Sequence, residues 1–500
     1  GIKATLRPYQ EQGYQWMCFL FENKLGGGLA DDMGLGKTVQ TLAMLMYAHK
    51  EVSLVSNNAA NFISHKNNIS AGQLNIFAEE DHNLYSNAAG PSLLIMPLSL
   101  IHNWVLEINR FAPSFKILQH TGTARADSTR LFSQFDLILT TYGTVRNDID
   151  ILRDFHFNYI VLDESQLIKN AESKIFHAIK SLNANHRLVL TGTPIENSLT
   201  DLWAQFSFLN PGMLGNLSHF REEFVHPIER GHNERKQIKL HQLIEPFILR
   251  RTKAEVAKDL PDLTETLRFC DMTEEHQKFY EEKKSQIRNL ILEQVEKQGM
   301  NKARFFILGS LMKLRLIANH PALVDPEYLA DSGKFLEVCS SIENLMAEGH
   351  KVLIFSQFVK HLNVYKKYFE SLSLPFNMLT GQMSEKERSG LINNFNSDPE
   401  KKLFLISLKA GGVGLNLTGA DYVFLLDPWW NPAVEKQAVN RAHRIGQKKN
   451  VFVYKFITHN TVEEKILQLQ ERKTNLVNMF IEEKNPFNNL GLEEIRELIN

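Results

Sequence analysis

Short apolar runs, each about as long as one β-strand, recur along both halves of this chain of 500 residues. Stretches with the spacing of amphipathic helices separate them. Runs that are apolar on both faces are typical of parallel sheets covered by helices on both sides. The pattern therefore predicts an α/β protein with two parallel-sheet lobes. The predicted strands are Ser92–Pro97, Phe135–Thr141, Tyr159–Leu162 and Leu188–Leu190 in the first half, and Val352–Phe355, Leu403–Ser407 and Tyr422–Leu426 in the second.

Helical spacing of apolar residues predicts most of the remaining elements. Thr273 is a plausible N-cap for the longest of them. We expect the last one to pack across both lobes, because its apolar seam is too short for a coiled coil. The predicted helices are Glu11–Glu22, Val39–Tyr47, Thr273–Gln298, Lys302–Asn319 and Val462–Phe480, with most of Leu199–Arg251 helical as well.

The order of these elements predicts a division into two α/β lobes and a tail. Pro261 interrupts the pattern between the lobes, so Lys258–Glu265 is predicted to be a linker. The expected segments are a first lobe over 1–258 with a polar surface insertion at 56–90 and a helical insertion at 199–251, a second lobe over 259–458 with a helical insertion at 273–319, and a C-terminal bracing helix and tail over 459–500.

Composition and charge restrict the possible partners. Lys+Arg number 56 and Asp+Glu 57, so a nucleic-acid partner would need a local basic patch rather than bulk charge. The three scattered cysteines argue against a disulfide framework or a zinc site and for a reducing compartment. No apolar run approaches the ~20 residues of a membrane span, and no leader is evident. We expect a soluble intracellular protein without a membrane partner.

The stretch Ala30–Thr38 carries the tail of a phosphate-binding signature. Its glycines let backbone N–H groups approach an anion, while Lys37 reaches β- and γ-phosphates and Thr38 offers a hydroxyl to Mg²⁺. The general pattern has glycine where Asp31 or Asp32 stands, so a chance match in a surface turn remains an alternative for the loop alone. The predicted phosphate-binding residues are Gly34, Gly36, Lys37 and Thr38.

An acidic pair, Asp163-Glu164, follows the predicted strand Tyr159–Leu162. Beside a phosphate loop, one carboxylate would hold Mg²⁺ through water and the other would deprotonate the attacking water. In isolation such a pair is usually a solvated helix-start turn. Gln10 has an amide that can pair with an adenine edge, although an ordinary polar residue at a helix start is the alternative.

The second lobe offers two further candidate features. Arg441 and Arg444 share a face if their segment is helical, which suits a phosphate clamp or an arginine finger; a solvated basic face is the alternative. The turn Lys409–Asn416 is rich in glycine, including Gly414, and can bring backbone close to a nucleotide or to nucleic acid. Trp429-Trp430 is more typical of a buried aromatic ledge than of a base-stacking surface.

In this order the motifs resemble the ATPase motor of the SWI/SNF-type remodelling family within helicase superfamily two. Two departures are Gln166, which follows the acidic pair where the family often has histidine, and Ala318, where it often has cysteine. The compact insertions favour a prokaryotic member. The matching residues are Leu6–Gln10, Asp32–Thr38, Asp163–Gln166, Ile168–Asn170, Leu190–Asn197, Leu314–Pro321, Ser332–Phe335, Ala410–Asn416, Asp427–Pro432 and Arg441–Gln447.

The resemblance implies two RecA-like lobes with helical insertions at 199–251 and 273–319. It also implies a DNA-stimulated ATPase that moves along double-stranded DNA and uses ATP and Mg²⁺. Gln10 would contact adenine, Lys37, Thr38, Asp163 and Glu164 would serve the phosphates, metal and water, and Arg441 and Arg444 would complete the site from the second lobe. Backbone contacts to DNA would be independent of sequence. By family position, the candidate DNA contacts are Ser99, Asn103, Thr141, Tyr142, Gln357 and Asn416.

Several alternatives remain open at the level of sequence. A strand-separating DNA or RNA helicase shares the fold, and a DNA-binding scaffold with a weak ATPase is a third reading. We expect a monomeric motor whose cargo is a DNA-bound protein such as a polymerase or a nucleosome. Its location would be the cytoplasm and nucleoid of a prokaryote or the nucleus of a eukaryote.

Overall fold

The structure is a computed structural model whose described residues fall into two compact units, within Gly1–Lys258 and Asp259–Asn500. The predicted insertion at 56–90 lies outside the described residues except for Gly90. Each unit has its own sheet and its own hydrophobic core. The described residues are 2–51, 90–122, 125–192, 199–229, 231, 233–381, 383, 385–411, 415–429 and 432–468.

The first unit is built on a sheet of seven strands. These are β1 Gly27–Leu29, β2 Ser92–Met96, β3 Ile117–His120, β4 Leu137–Thr141, β5 His156–Asp163, β6 Asn183–Leu190 and β7 Ile248–Leu249. They are arranged in the order β3-β4-β2-β5-β6-β1-β7, and every neighbouring pair is parallel. The prediction of a parallel sheet is confirmed.

The core strands are buried on both faces, which explains why their sequence is continuously apolar. All five residues of β2 are buried, and so are the central residues of β5. Strand β6 begins at Asn183, five residues before the predicted Leu188. Its first half is polar and partly exposed, so the hydrophobic pattern revealed only its apolar second half.

Two of the three consecutive glycines ahead of the phosphate loop, Gly27 and Gly28, belong to strand β1 rather than to the loop. All three residues of β1 are buried, and a Cβ at Gly27 would meet the Leu20 side chain and lie 2.9 Å from Trp16 Cη2. The first helix therefore packs directly against glycine backbone. This close approach requires glycine at position 27. Because two of its three residues are glycine, the strand was not visible in the hydrophobic pattern.

Helices cover this sheet, and several of them extend beyond the predicted bounds. The first begins at Pro8, with Pro in its first turn, and the loop helix runs from residue 37 to the end of the described range at residue 51. The α-helices are Pro8–Glu22, 37–51, Leu98–Phe111, Tyr142–Asn147, Ile149–Leu152, Lys174–Lys180, Leu199–Leu209, Leu217–Phe220, His226–Glu229, Glu234–Ile244 and Lys253–Val256. Shorter turns of other helix types are Phe132–Gln134, Ser165–Ile168, Arg221–Val225 and Glu245–Phe247.

The second unit has a sheet of six parallel strands. They are β8 Leu263–Cys270, β9 Val352–Ser356, β10 Phe376–Leu379, β11 Leu403–Ser407, β12 Tyr422–Leu425 and β13 Val451–Thr458. The order is β10-β11-β9-β12-β13-β8. The prediction of a linker over Lys258–Glu265 is wrong from Leu263 onward. Strand β8 begins at that residue and pairs with β13 along its whole length. Strand β8 is an edge strand with mostly exposed residues, so no apolar run marks it.

Two long helices form the predicted helical insertion of this unit. The Thr273 side chain accepts a hydrogen bond from the His276 backbone N–H, so the predicted N-cap is confirmed. Gly299, at a φ of 73°, separates the two helices. The helices of the unit are Glu274–Gln298, Met300–Asn319, Gly333–Ala347, Val359–Ser371, Glu385–Ser397, Leu408–Gly411, Pro432–Val439 and 462–468, with a short 3₁₀ turn at Pro321–Leu323.

A fully buried ion pair joins the beginning of the last described helix to this core. Lys334 Nζ lies 2.5 Å from Glu463 Oε2, and both side chains have no exposed area. Lys334 also donates to Asn319 Oδ1 at 3.0 Å and to the Leu426 carbonyl at 2.9 Å. Val462 and Ile466 pack into the same helical core. The rest of the predicted helix Val462–Phe480 lies outside the described residues.

The three cysteines, Cys18, Cys270 and Cys339, are free and buried. Burial raises the pKa of Cys18 to about 11. Across the described ranges no helix is both long enough and apolar enough to cross a bilayer.

Two buried histidines make the second unit sensitive to acid. Burial lowers the pKa of His276 and of His320 to about 4, although the His276 ring donates to the Ile317 carbonyl at 2.8 Å. An unfolded histidine titrates near ~6.5. Between these values the unfolded chain binds protons that the folded chain does not bind. The free energy of unfolding therefore falls as pH falls, by about 1.4 kcal/mol per pH unit for each histidine.

His276→Gln tests this dependence, because the amide can still donate to the Ile317 carbonyl but does not titrate. We expect the urea midpoint of the variant to fall less than that of the unmodified protein between about pH 6.5 and about pH 4.5. His241→Gln, on an exposed helix face, is the matched control and should behave like the unmodified protein. An equal fall in all three proteins would contradict the assignment.

Candidate functional site

Parallel neighbours in the first sheet bring three polar segments to one edge. Strands β5, β6 and β1 lie side by side, and the phosphate loop follows β1. Asp163 ends β5 and Thr191 follows β6. The carboxyl edge of a parallel sheet is where ligands commonly bind. The predicted loop and the predicted acidic pair therefore lie next to each other.

The loop has the backbone geometry that an anion site needs. Gly34 and Gly36 have φ angles of 87° and 78°, in the region that favours glycine. Helix 37–51 starts directly after them, so its positive end faces the loop. Lys37 Nζ donates to the carbonyls of Asp31 and Asp32, at 2.6 and 3.3 Å. Burial lowers the pKa of Lys37, and the Glu164 and Asp163 carboxylates oppose that shift.

Gln10 lies against the phosphate loop. Its Nε2 donates to the Leu35 carbonyl at 3.0 Å, and its Oε1 accepts from the Arg7 N–H at 3.0 Å. A Cβ at Gly36 would lie 2.5 Å from the Gln10 Nε2. Both halves of the Gln10 amide thus contact protein, and Gly36 is needed partly because this amide is so close.

The acidic pair is half-buried, and Glu164 has an unusual backbone conformation. Glu164 has a φ of 54°, which is uncommon for a residue other than glycine and typical of functional sites. Burial, and next the charge of Glu164, raise the pKa of Asp163 to about 7. The Gln166 side chain donates to Glu164 Oε2 at 2.6 Å, so the glutamine that departs from the family pattern orients the second carboxylate.

Two aromatic residues that sequence reasoning did not identify as positioning residues hold Asp163 in place. The buried Trp104 donates from Nε1 to Asp163 Oδ2 at 2.8 Å. The Tyr142 hydroxyl donates to the Asp163 carbonyl at 2.8 Å, and only 4% of Tyr142 is exposed. The Tyr142 hydroxyl thus supports Asp163, and the DNA contact at Tyr142 stays a prediction. Neither residue has a recognisable spacing from the acidic pair, so no local signal identified them.

Asp31, which stands where the general pattern has glycine, pairs with a buried arginine. Its carboxylate is fully buried and pairs with Arg251, with Nε to Oδ1 at 2.9 Å and Nη2 to Oδ2 at 2.5 Å. The acidic departure from the pattern thus has a structural partner 220 residues away along the chain. Arg251 ends the range 199–251 that was predicted to be mostly helical, and its partner was not predictable from spacing.

The predicted helical placement of Arg441 and Arg444 is wrong. The helix ends at Val439, and the next residues form turns. Leu417 N–H donates to the Arg441 carbonyl at 3.0 Å, which occupies the acceptor that a continuing helix would use. Arg441 is buried and Arg444 is half-buried, so the arginines do not form the solvated basic face that was the alternative.

The glycine-rich segment of the second unit is described only in part. Helix Leu408–Gly411 follows β11, and Gly414 lies outside the described residues. The Asn416 carbonyl accepts from Asn396 Nδ2 at 2.8 Å. Trp429 packs against the buried core, as expected for a buried aromatic ledge, and Trp430 lies outside the described residues.

The other candidate DNA contacts occupy helix starts and strand ends. Ser99 and Asn103 are half-buried in helix Leu98–Phe111, and Asn103 donates to Glu107 at 3.0 Å. Thr141 caps the following short helix by accepting from the Thr144 N–H.

Gln357 follows β9 in the second unit and is held by buried groups. Its backbone N–H donates to Asp427 Oδ2 at 3.1 Å, and its Oε1 accepts from Arg315 Nη1 at 3.2 Å. Arg315 is fully buried and also donates to the Pro428 carbonyl at 2.5 Å. These bonds fix the position of Gln357 at the carboxyl end of β9.

The donor set of the first unit fits a magnesium ion that is shared with phosphates. Within the described ranges, no group of three or more His, Cys, Asp and Glu side chains could hold a metal ion on its own. Asp163, Glu164 and the Thr38 hydroxyl remain as oxygen donors. Mg²⁺ commonly uses one or two carboxylates together with waters and substrate phosphates. A divalent cation would also offset the repulsion between the adjacent carboxylates.

Two family models match the chain. The SNF2-related domain matches residues 9–323, and the helicase conserved C-terminal domain matches residues 333–446. The Bacillus subtilis protein YwqA, described provisionally as an ATP-dependent helicase/translocase, is 37% identical over 100% of this chain and 51% of its own length. The human SWI/SNF-related matrix-associated actin-dependent regulator of chromatin subfamily A member 1 is 34% identical over 99% of this chain and 46% of its own length.

Among solved structures, the Sulfolobus solfataricus SWI2/SNF2 ATPase core in complex with dsDNA is 37% identical, with 99% of this chain and 97% of that chain covered and a TM-score of 0.46. The chain spans about half the length of the curated relatives it matches. The bacterial relative supports the predicted prokaryotic source. Because one family model covers most of the chain and relatives share about a third of its residues along its whole length, the chain belongs to the SNF2-related family.

Proposed function

We propose that this chain is the motor of an ATP-dependent translocase on double-stranded DNA. The observation that carries the proposal is the juxtaposition of Lys37 and the loop glycines with the Asp163-Glu164 pair at one sheet edge. A lysine, an anion-binding backbone and two carboxylates are the groups that phosphoryl transfer to water requires. The relatives named as an ATP-dependent helicase/translocase and as a chromatin regulator favour movement on DNA.

Each group has a proposed role in hydrolysis. The loop backbone and Lys37 bind the β- and γ-phosphates. Thr38 and Asp163 would hold Mg²⁺, which would offset the charge of the phosphates. Glu164 takes the proton of the attacking water, because its carboxylate is oriented by Gln166. Gln10, held beside the loop, contacts the adenine edge.

We further propose that the second unit contributes to turnover and to DNA binding. Arg441 and Arg444 would supply positive charge to the transferred phosphate, and Gly414 would approach the nucleotide. Closure on ATP and relaxation after hydrolysis would move the protein along the DNA backbone. In this proposal the first lobe ends at residue 258 and the second lobe ends at residue 458. A bracing helix and tail follow over residues 459–500.

The proposed partner is duplex DNA, contacted through its backbone by a monomeric motor. The proposed contact positions are Ser99, Asn103, Thr141, Tyr142, Gln357 and Asn416. The name of the human relative favours a DNA-bound protein as cargo, such as a nucleosome or, in a prokaryotic nucleoid, a polymerase. Separation of the two nucleic-acid strands is the second candidate function, because the bacterial relative's description includes the word helicase.

Glu164→Gln tests the assigned base. We expect the variant to bind ATP but to hydrolyse it at least about 100-fold more slowly, because general base catalysis is lost. The measurement is steady-state ATP hydrolysis with and without linear duplex DNA, which should accelerate the unmodified protein. Glu172→Gln, at an exposed position nearby in sequence, should hydrolyse ATP normally. Unchanged turnover of Glu164→Gln would refute the base, and no stimulation of the unmodified protein by duplex would refute the proposed function.

Trp104→Phe tests the support of Asp163. Phenylalanine keeps most of the apolar contact but loses the hydrogen bond to Oδ2, so the apparent affinity for Mg²⁺ in the ATPase reaction should fall by about tenfold. The control is Trp203→Phe, because Trp203 is buried in the same unit and donates to the Gly215 carbonyl at 3.1 Å. If both variants show the same Mg²⁺ dependence as the unmodified protein, the support of Asp163 by Trp104 is refuted.

A further inference from the structure

We propose that Arg251 is a positioning residue for the phosphate loop and that it acts through Asp31. This inference rests on the proposed ATP site. It concerns a side chain near the end of the first unit that would not itself touch the nucleotide.

The Arg251 guanidinium is surrounded by partners. Besides the two bonds to Asp31, its Nη2 donates to Gln40 Oε1 at 2.9 Å and its Nη1 donates to the Tyr9 carbonyl. The guanidinium carbon lies 5.3 Å from the centroid of the Tyr9 ring. Only 8% of Arg251 is exposed. One side chain thus joins the first helix, the phosphate loop and the loop helix.

Asp31 connects this cluster to the proposed phosphate-binding lysine. Its carboxylate accepts from Arg251, and its backbone carbonyl accepts from Lys37 Nζ at 2.6 Å. A displacement of Asp31 therefore displaces an acceptor of Lys37. The Tyr9 hydroxyl also donates to the Leu35 carbonyl at 2.9 Å, so the cluster contacts the loop at a second point.

Backbone hydrogen bonds fix the same segment beside the loop. Ala30 N–H donates to the Leu249 carbonyl at 2.7 Å, and Asp32 N–H donates to the Arg251 carbonyl at 3.0 Å. Lys253 N–H donates to Asp32 Oδ2 at 3.0 Å. Residues 249–253 therefore continue the parallel pairing of β7 with β1 into the loop.

Gly13 gives an independent indication that this cluster is closely packed. It lies in the middle of the first helix, where glycine is unfavourable compared with alanine. A Cβ at this position would lie 2.7 Å from Arg251 Nη2 and would also meet Gln40 Oε1. The helix tolerates glycine here because only glycine allows the guanidinium and the Gln40 amide to approach so closely.

The test removes the charge pair without leaving a buried unpaired charge, which would be strongly destabilising. In the intact protein, Asp31→Asn is combined with Arg251→Met, and the Kd for ADP with Mg²⁺ is measured by calorimetry. We expect the Kd to rise by at least about tenfold, the loss that corresponds to one charge-assisted hydrogen bond. Duplex DNA affinity without nucleotide should stay unchanged. Arg251→Lys and Gly13→Ala, each milder, should raise the Kd by smaller factors.

The matched control is Lys334→Met combined with Glu463→Gln, which removes the fully buried ion pair of the second unit. We expect it to lower the thermal midpoint and leave the Kd for ADP unchanged. If the Arg251 variants also lower only the thermal midpoint, the pair is structural and the inference is overturned while the proposed ATP site stands. If the unmodified protein binds no ADP, the proposed function fails and the inference fails with it.

Discussion

The parallel pairing of β1 with β6 on one side and β7 on the other fixes the position of the phosphate loop, and the rest of the first unit's site depends on it. The loop can begin only where β1 ends, so it lies beside the end of β6 and one strand away from Asp163. Segment 249–253 then continues alongside the loop through backbone hydrogen bonds. The side chain of Asp31 completes this attachment by pairing with Arg251, which leaves the backbone of the loop to face an anion.

Hydrogen bonds and the Lys37 charge compensate for unfavourable features of the acidic pair. Two adjacent carboxylates repel each other, one of them in a strained backbone conformation at Glu164. Trp104 and Gln166 each donate to one carboxylate, and the Lys37 charge lowers the pKa of Asp163. Strain and like charge commonly accumulate at functional sites and are compensated by the surrounding structure. The arrangement favours binding of a cation together with phosphates.

The sequence predicted the parts of the fold in which local pattern and burial agree. Both parallel sheets and the Thr273 cap are confirmed because apolar runs and capping residues carry local signals. Strand β8 is exposed, β1 consists mostly of glycine, and the pair between Arg251 and Asp31 spans 220 residues, so none of these has such a signal. The helix predicted over Arg441 is wrong: it ends at Val439, and the Arg441 carbonyl accepts from Leu417, a residue far from it in the sequence.

Movement along duplex DNA is tested most directly by displacement of a third strand that is bound in the groove of a linear duplex. With ATP and Mg²⁺, the protein should release the third strand while the two duplex strands stay paired. Release should stop when ATP is replaced by an analogue that cannot be hydrolysed. Rapid ATP hydrolysis on the same DNA without release of the third strand, or release that does not need ATP, would contradict translocation.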